Sequence, residues 1–104
     1  MALPDEIDVT NAEHAAGLLR GSSTPGVTVV IADLTGTTFC DSAGIRMLTL
    51  VHQEAVAAGV QLRLAVATDG PVMRVLELLE LVRILRVYPS VDAAADEPGP
   101  SSGQ

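Results

Sequence analysis

"VVIADLTGTTFCDSAGIRML", residues 29–48, changes character twice within a short span. Val27 to Asp33 ("VTVVIAD") is apolar and β-branched at nearly every position. That pattern marks a strand covered on both faces, as in a parallel or mixed sheet. "LTGTTFCD" (34–41) reads as a connection at the carboxyl end of that strand. From Ser42 onward Ile45, Leu48, Val51, His52 and Ala55 share one face at helical spacing, and Gly59 ends the run. A strand, a loop and a helix that begins at Asp41-Ser42 are therefore expected, with an acidic-hydroxyl pair at the junction.

Working outward, residues 7–21 predict a first helix with an apolar face of Ala15, Ala16, Leu18 and Leu19. Thr10 and Glu13 have the spacing of a capping box at its start, and Gly21 suits its end. "VQLRLAVA" (60–67) reads as the next buried strand. Pro71 then opens a helix, where its missing N–H is not needed. Val72, Val75, Leu76, Leu79 and Val82 form its stripe, and the pairs Arg74/Glu77 and Glu80/Arg83 form a solvated face. "LRVYPS" (85–90) predicts a last short strand, and Ser90 a cap for a helical turn. Residues 97–104 read as a disordered tail. The order is helix, strand, repeated three times: one α/β domain over residues 1–96 with right-handed crossovers.

At 104 residues there is room for one domain and a core that needs no disulfide. Apolar residues make up 48 % and aromatics only 2 %, so Val, Leu, Ile and Ala must build that core. A formal charge of −7, with six cations and no basic stripe, argues against nucleic acid. No stretch reaches membrane-spanning length and no signal-peptide pattern opens the chain, so a cytoplasmic setting is expected. Cys40 is the one cysteine and reads as a small buried hydrophobe. With His14 expected at the surface and His52 packed on the core face, no metal-ligand cluster is formed and no cofactor is expected.

The same residues resemble the STAS family of sulfate-transporter and anti-sigma-factor-antagonist domains. The family pattern D-[LM]-[ST]-x-[TV]-x-[FY]-x-D-S-x-G is met by Asp33, Leu34, Thr35, Thr37, Phe39, Asp41, Ser42 and Gly44. The segments after it extend the likeness over roughly residues 5–96, and within the family the chain is similar to the stand-alone bacterial antagonists. The resemblance implies a STAS-like sheet, mixed or parallel, packed with helices. Two departures stand out. Only "LPDEIDV" precedes the first helix, where relatives carry one or two strands, so either the sheet lacks its first strand or the sequence starts late. A missing strand would leave an unpaired edge that invites a homodimer. Around Leu78-Leu79-Glu80 relatives turn through a Thr-Gly pair, and this chain is expected to run its third helix longer.

The resemblance also implies a function. In such antagonists the Ser of D-S-x-G is phosphorylated by an anti-sigma factor that is itself a Ser kinase of the GHKL type. The unphosphorylated form binds that kinase and frees the sigma factor, phosphorylation ends the binding, and a PP2C-type phosphatase resets the switch. Carried over, Ser42 is the phosphorylation site of a phosphoprotein in transcription regulation and stress response by partner switching. Asp41, Gly44, Arg46, Met47 and Leu50 are the expected partner-binding residues. Gly44 would let a kinase backbone approach, and Met47 and Leu50 would lie off the core stripe beside Arg46. Two other readings of the residues compete. Ser42 could simply cap the helix. It could also be a nucleophile, but the hydrolase elbow needs Gly two residues earlier, where Cys40 stands, so no enzymatic activity is expected. The alternative function is a STAS scaffold or regulatory module of a larger signalling complex.

Overall fold

A computed structural model describes residues 1–99. Its elements are β1 (Glu6–Ile7), α1 (Ala12–Gly21), β2 (Val29–Asp33), β3 (Phe39–Cys40), α2 (Ser42–Ala57), β4 (Gln61–Ala65), α3 (Pro71–Leu78), β5 (Arg86–Tyr88) and α4 (Val91–Asp96). A 3-10 turn at Leu81–Arg83 precedes β5. Every ladder is parallel: β2 with β4, β4 with β5, and β1 with β3. The register sets Ala32 beside Leu64 and Leu64 beside Val87.

The N-terminal segment is not missing its strand. Ala2 bridges in parallel to Asp33, with Leu3 N–H donating to Asp33 O at 3.0 Å and Asp33 N–H to Met1 O at 2.8 Å. Four residues later Glu6 and Ile7 pair with Phe39 and Cys40. Residues 1–7 thus run from β2 to β3 and stitch the two parts of the sheet together. At its carboxyl end, the outer edge of β2 is paired with the chain's own beginning. Pro4 and Asp5 interrupt the apolar alternation here, which hides the strand from a periodicity reading.

The alternation along β2 and β4 explains how both faces are covered. Val30, Ala32, Leu62 and Leu64 are buried, and Val30 and Leu62 line a cavity together with Leu19 of α1 and Val51 of α2. The opposite face carries α4, which packs on β4, β2 and β5. There Arg63 is buried among carbonyls. Its Nε and Nη2 donate to Gln61 Oε1 at 3.1 and 2.8 Å. Nη1 donates to Ala94 O (2.6 Å) and Glu97 O (2.8 Å), and Nη2 to Pro98 O (2.7 Å). All five N–H donors of the guanidinium are used and no carboxylate is needed. The carbonyls cluster at the end of α4, where the helix dipole is negative. Tyr88 adds its ring, 5.9 Å from the guanidinium carbon.

The clasp also takes in the first residues of the expected tail. Glu97 and Pro98 are tied to Arg63, and the remainder of the expected tail, residues 100–104, lies outside the described residues. Helix α1 also differs at its start. The expected Thr10–Glu13 capping box does not form: Thr10 N–H and hydroxyl both donate to Asp8, and Asn11 Nδ2 reaches back to Glu6 O at 2.7 Å. Glu13 instead accepts from Arg20 at 3.2 Å. Helix α3 is shorter than expected, not longer. It ends at Leu78, and Glu80 adopts a left-handed φ of 57°. Leu79 and Val82, assigned to the helix stripe by spacing, are exposed as a result.

Arg63→Met should lower the unfolding free energy by about 3 kcal/mol, because buried carbonyls lose their donors. Urea denaturation would measure the loss, and limited proteolysis should begin near α4. A variant as stable as the parent would show that the clasp is incidental.

Candidate functional site

Asp41 and Ser42 sit where three elements meet. Asp41 N–H donates to Ile7 O of β1 at 3.0 Å, which fixes the end of β3 to the N-terminal strand. The Asp41 backbone is extended, φ −87° and ψ −172°, and its Oδ1 accepts from Gly44 N–H at 3.1 Å. Asp41 is therefore the N-cap of α2, the role its short carboxylate suits. Its carbonyl accepts the first helical bond, from Ile45 N–H.

With the cap taken by Asp41, Ser42 becomes the first helical residue. It is exposed, and its hydroxyl makes no hydrogen bond among the described residues. The reading of Ser42 as the cap is thus displaced by its neighbour. Backbone N–H groups in the first turn and the positive end of the dipole of α2 face this position.

Gly44 is at the site for a packing reason. A Cβ there would stand 2.5 Å from Cys40 Sγ, 2.9 Å from Ile7 Cγ2 and 3.3 Å from Ile7 O. The first turn of α2 lies directly on β1 and β3, and Gly44 is buried beneath it. It is not a surface that a partner's backbone approaches. Met47 also departs from the expectation: it is buried, not turned outward. Helix α2 is covered by the sheet and by α1 together, so its buried arc is wider than the Ile45/Leu48/Val51 stripe and takes in Met47.

Arg46 and Leu50 remain exposed, Leu50 at 46 %. They lie along a groove of about 390 Å³ between the start of α1 and α2, lined also by Ser42, Ala43, Glu13 and Val9. Val9 is 77 % exposed and Phe39, just before the buried Cys40, is 48 % exposed. Val9 is not singled out by the sequence, and Phe39 enters there only as a position of the family pattern, not as a surface residue. The signal for Phe39 was present, since strand alternation puts residue 39 opposite to residue 40. Val9 lies in an irregular loop where no period applies.

The rest of the motif shapes the loop. Asp33 accepts from Thr35 N–H at 3.0 Å and Thr35 Oγ1 at 2.6 Å, and these bonds hold its carboxyl below the usual range. Thr37 is buried, with its hydroxyl on Pro4 O at 2.9 Å. Burial, with Asp41 beside it, pushes the Cys40 thiol up to about 11. His14 is exposed and His52 is half-buried, but Nδ1 of His52 is buried without a partner, so this histidine is not fully satisfied. No group of three His, Cys, Asp or Glu among the described residues is arranged to hold a metal. A second, apolar cavity of about 230 Å³ lies under the Arg20–Glu54 ion pair near the other end of α2, away from Ser42. No helix of the described residues is long and apolar enough to cross a membrane.

Two expectations follow. Gly44→Ala should cost about 1–3 kcal/mol through forced displacement of Cys40 and Ile7, with part recovered by adding Cys40→Ala, as read by chemical denaturation. Cys40 should react with a disulfide reagent at pH 8 roughly a hundredfold more slowly in the folded than in the unfolded chain. Equal rates would mean an accessible thiolate.

Among curated proteins none matches this chain. Two solved structures share its fold. One is that of a candidate anti-sigma factor antagonist from Thermotoga maritima: TM-score 0.68, 18 % identity, 90 % of this chain and 81 % of that one covered. The other is an anti-sigma-factor antagonist (STAS) domain protein from Planctomyces limnophilus: TM-score 0.65, 21 % identity, 86 % and 77 % covered. The family pattern described as the STAS domain matches residues 1–94. With the parallel sheet, the stitched N-terminal strand and the D-S-x-G turn in place, the chain belongs to the STAS domain family.

Proposed function

We propose that this protein is an anti-sigma factor antagonist whose Ser42 is a phosphorylation switch. The unphosphorylated form binds an anti-sigma factor that is also a Ser kinase, and so frees a sigma factor. The kinase transfers the γ-phosphoryl group of ATP to Ser42 Oγ: the new O–P bond forms, the bond to ADP breaks, and the hydroxyl proton leaves. A phosphatase of the PP2C type restores the hydroxyl. The observation that carries this reading is a serine hydroxyl that is exposed, unbonded and first in its helix, at the edge of a groove with exposed Val9 and Leu50.

The physics favours a binding switch. The helix terminus accepts added negative charge, so modification leaves the fold intact. The phosphate carries about −1.5 to −2 charges, beside the Asp41 carboxylate. Against an acidic group of a partner about 5 Å away, at an effective dielectric near 20, each like-charge pair costs roughly 3 kcal/mol. Every ~1.4 kcal/mol is tenfold in affinity, so one phosphate suffices to weaken a complex by about two decades. A nucleophilic role for Ser42 lacks its base, since no histidine lines the groove.

Ser42→Ala should bind the kinase as the parent does and resist release by ATP. Ser42→Asp should bind weakly. Incubation with candidate GHKL kinases and ATP, with the phosphate mapped by mass spectrometry, tests the site. Phosphate found solely on Thr38, which is also exposed, would overturn the assignment.

A further inference from the structure

We propose that a phosphate on Ser42 is received by Arg46, one helical turn away, so that modification withdraws this guanidinium from a docking partner as well as adding charge. The inference rests on the reading of Ser42 as the modified residue and names how that site is regulated.

Helix α2 is unbroken from Ser42 to Ala57, so residues 42 and 46 stand one above the other on its surface. Helical side chains lean toward the N-terminus. Arg46 therefore leans back over the turn that begins with Ser42, and an anion N-terminal to a cation at this spacing is the favourable order. Both residues are exposed and line the same groove.

The other charged groups at this place are engaged. Glu13 across the groove accepts from Arg20 at 3.2 Å. Asp41 accepts from Gly44 N–H. Arg46 has no hydrogen bond or ion pair among the described residues. Its fork of donors matches phosphate oxygens in pairs. A free cation beside Val9 and Leu50, on a chain of net charge −7, is suited to a carboxylate on the partner. Once Ser42 carries phosphate, the nearest anion for Arg46 belongs to its own helix. Release then has two sources: a repulsion gained and an attraction lost.

The test needs no kinase. Phosphoserine is placed at position 42 by genetic-code expansion, and the phosphate is titrated by phosphorus NMR in the parent and in Arg46→Gln. The second phosphate pKa should lie lower in the parent by roughly 0.15–0.4, the pKa equivalent of an exposed i,i+4 ion pair, and 1 M salt should shrink the difference. Arg46→Lys should keep most of it. Identical titration in the parent and Arg46→Gln overturns the proposal. So does an equal shift in Arg46→Lys and Arg46→Gln, which would report a disturbed helix and not a lost charge. A kinase that never modifies Ser42 would defeat the functional reading and leave this measurement untouched.

Discussion

The first turn of α2 lies closer to the sheet than any side chain allows. At Gly44 even a methyl group would meet Cys40 Sγ and Ile7 Cγ2 within contact distance. That approach sets where α2 begins, and Asp41 secures it from both sides. Its backbone N–H is held by Ile7, and its carboxylate holds Gly44 N–H. The chain before the helix is then forced into an extended turn, and the residue after the cap has nowhere to face but solvent. The exposure of Ser42 thus goes with the close packing of Gly44, two residues further on. A larger residue at position 44 would push the helix off β1 and β3 and move the hydroxyl with it.

The N-terminal seven residues serve the same geometry. Ile7 is fully buried beneath α2, and its carbonyl is the acceptor for Asp41. Met1 to Leu3 are paired to β2 and Glu6–Ile7 to β3, so one segment ties the central sheet to the strand that leads into Asp41 and Ser42. On the far face Arg63 performs the matching task for α4, a helix of six residues too short to persist alone. A buried cation is tolerated here because every donor has an oxygen, at the negative end of a helix.

The site as folded has a division of labour. Asp41 shapes, Gly44 and Met47 pack, and Ser42, Arg46, Leu50 and Val9 face outward. The helix terminus makes an added phosphate compatible with the native state, while a docked partner would feel its full charge. Under the proposed function, stability and binding would thereby respond differently to one modification, which is what a reversible switch requires.

How much of this was legible beforehand follows from where local physics suffices. β-Branched runs, Pro71 at a helix start and Gly59 at a helix end, with φ +74°, are local preferences, and they located β2, β4, α2 and the start of α3. The D-S-x-G motif located the helix start and its serine. Whether Met47 points in or out depends on α1 lying across α2, and a single helical period carries no information about a second neighbour. The place of residues 1–7 depends on partners some thirty residues away in sequence, and the role of Gly44 on a contact with a strand outside its own motif. The burial of Arg63 needed carbonyls from α4 that no strand pattern encodes. Sequence alone determined β2, β4, α2, the start of α3 and the hydroxyl at the β–α junction, but not β1, β3 or the end of α3. Only the tertiary structure decided which side chains of that junction meet solvent, because exposure is set by what the rest of the chain brings against them.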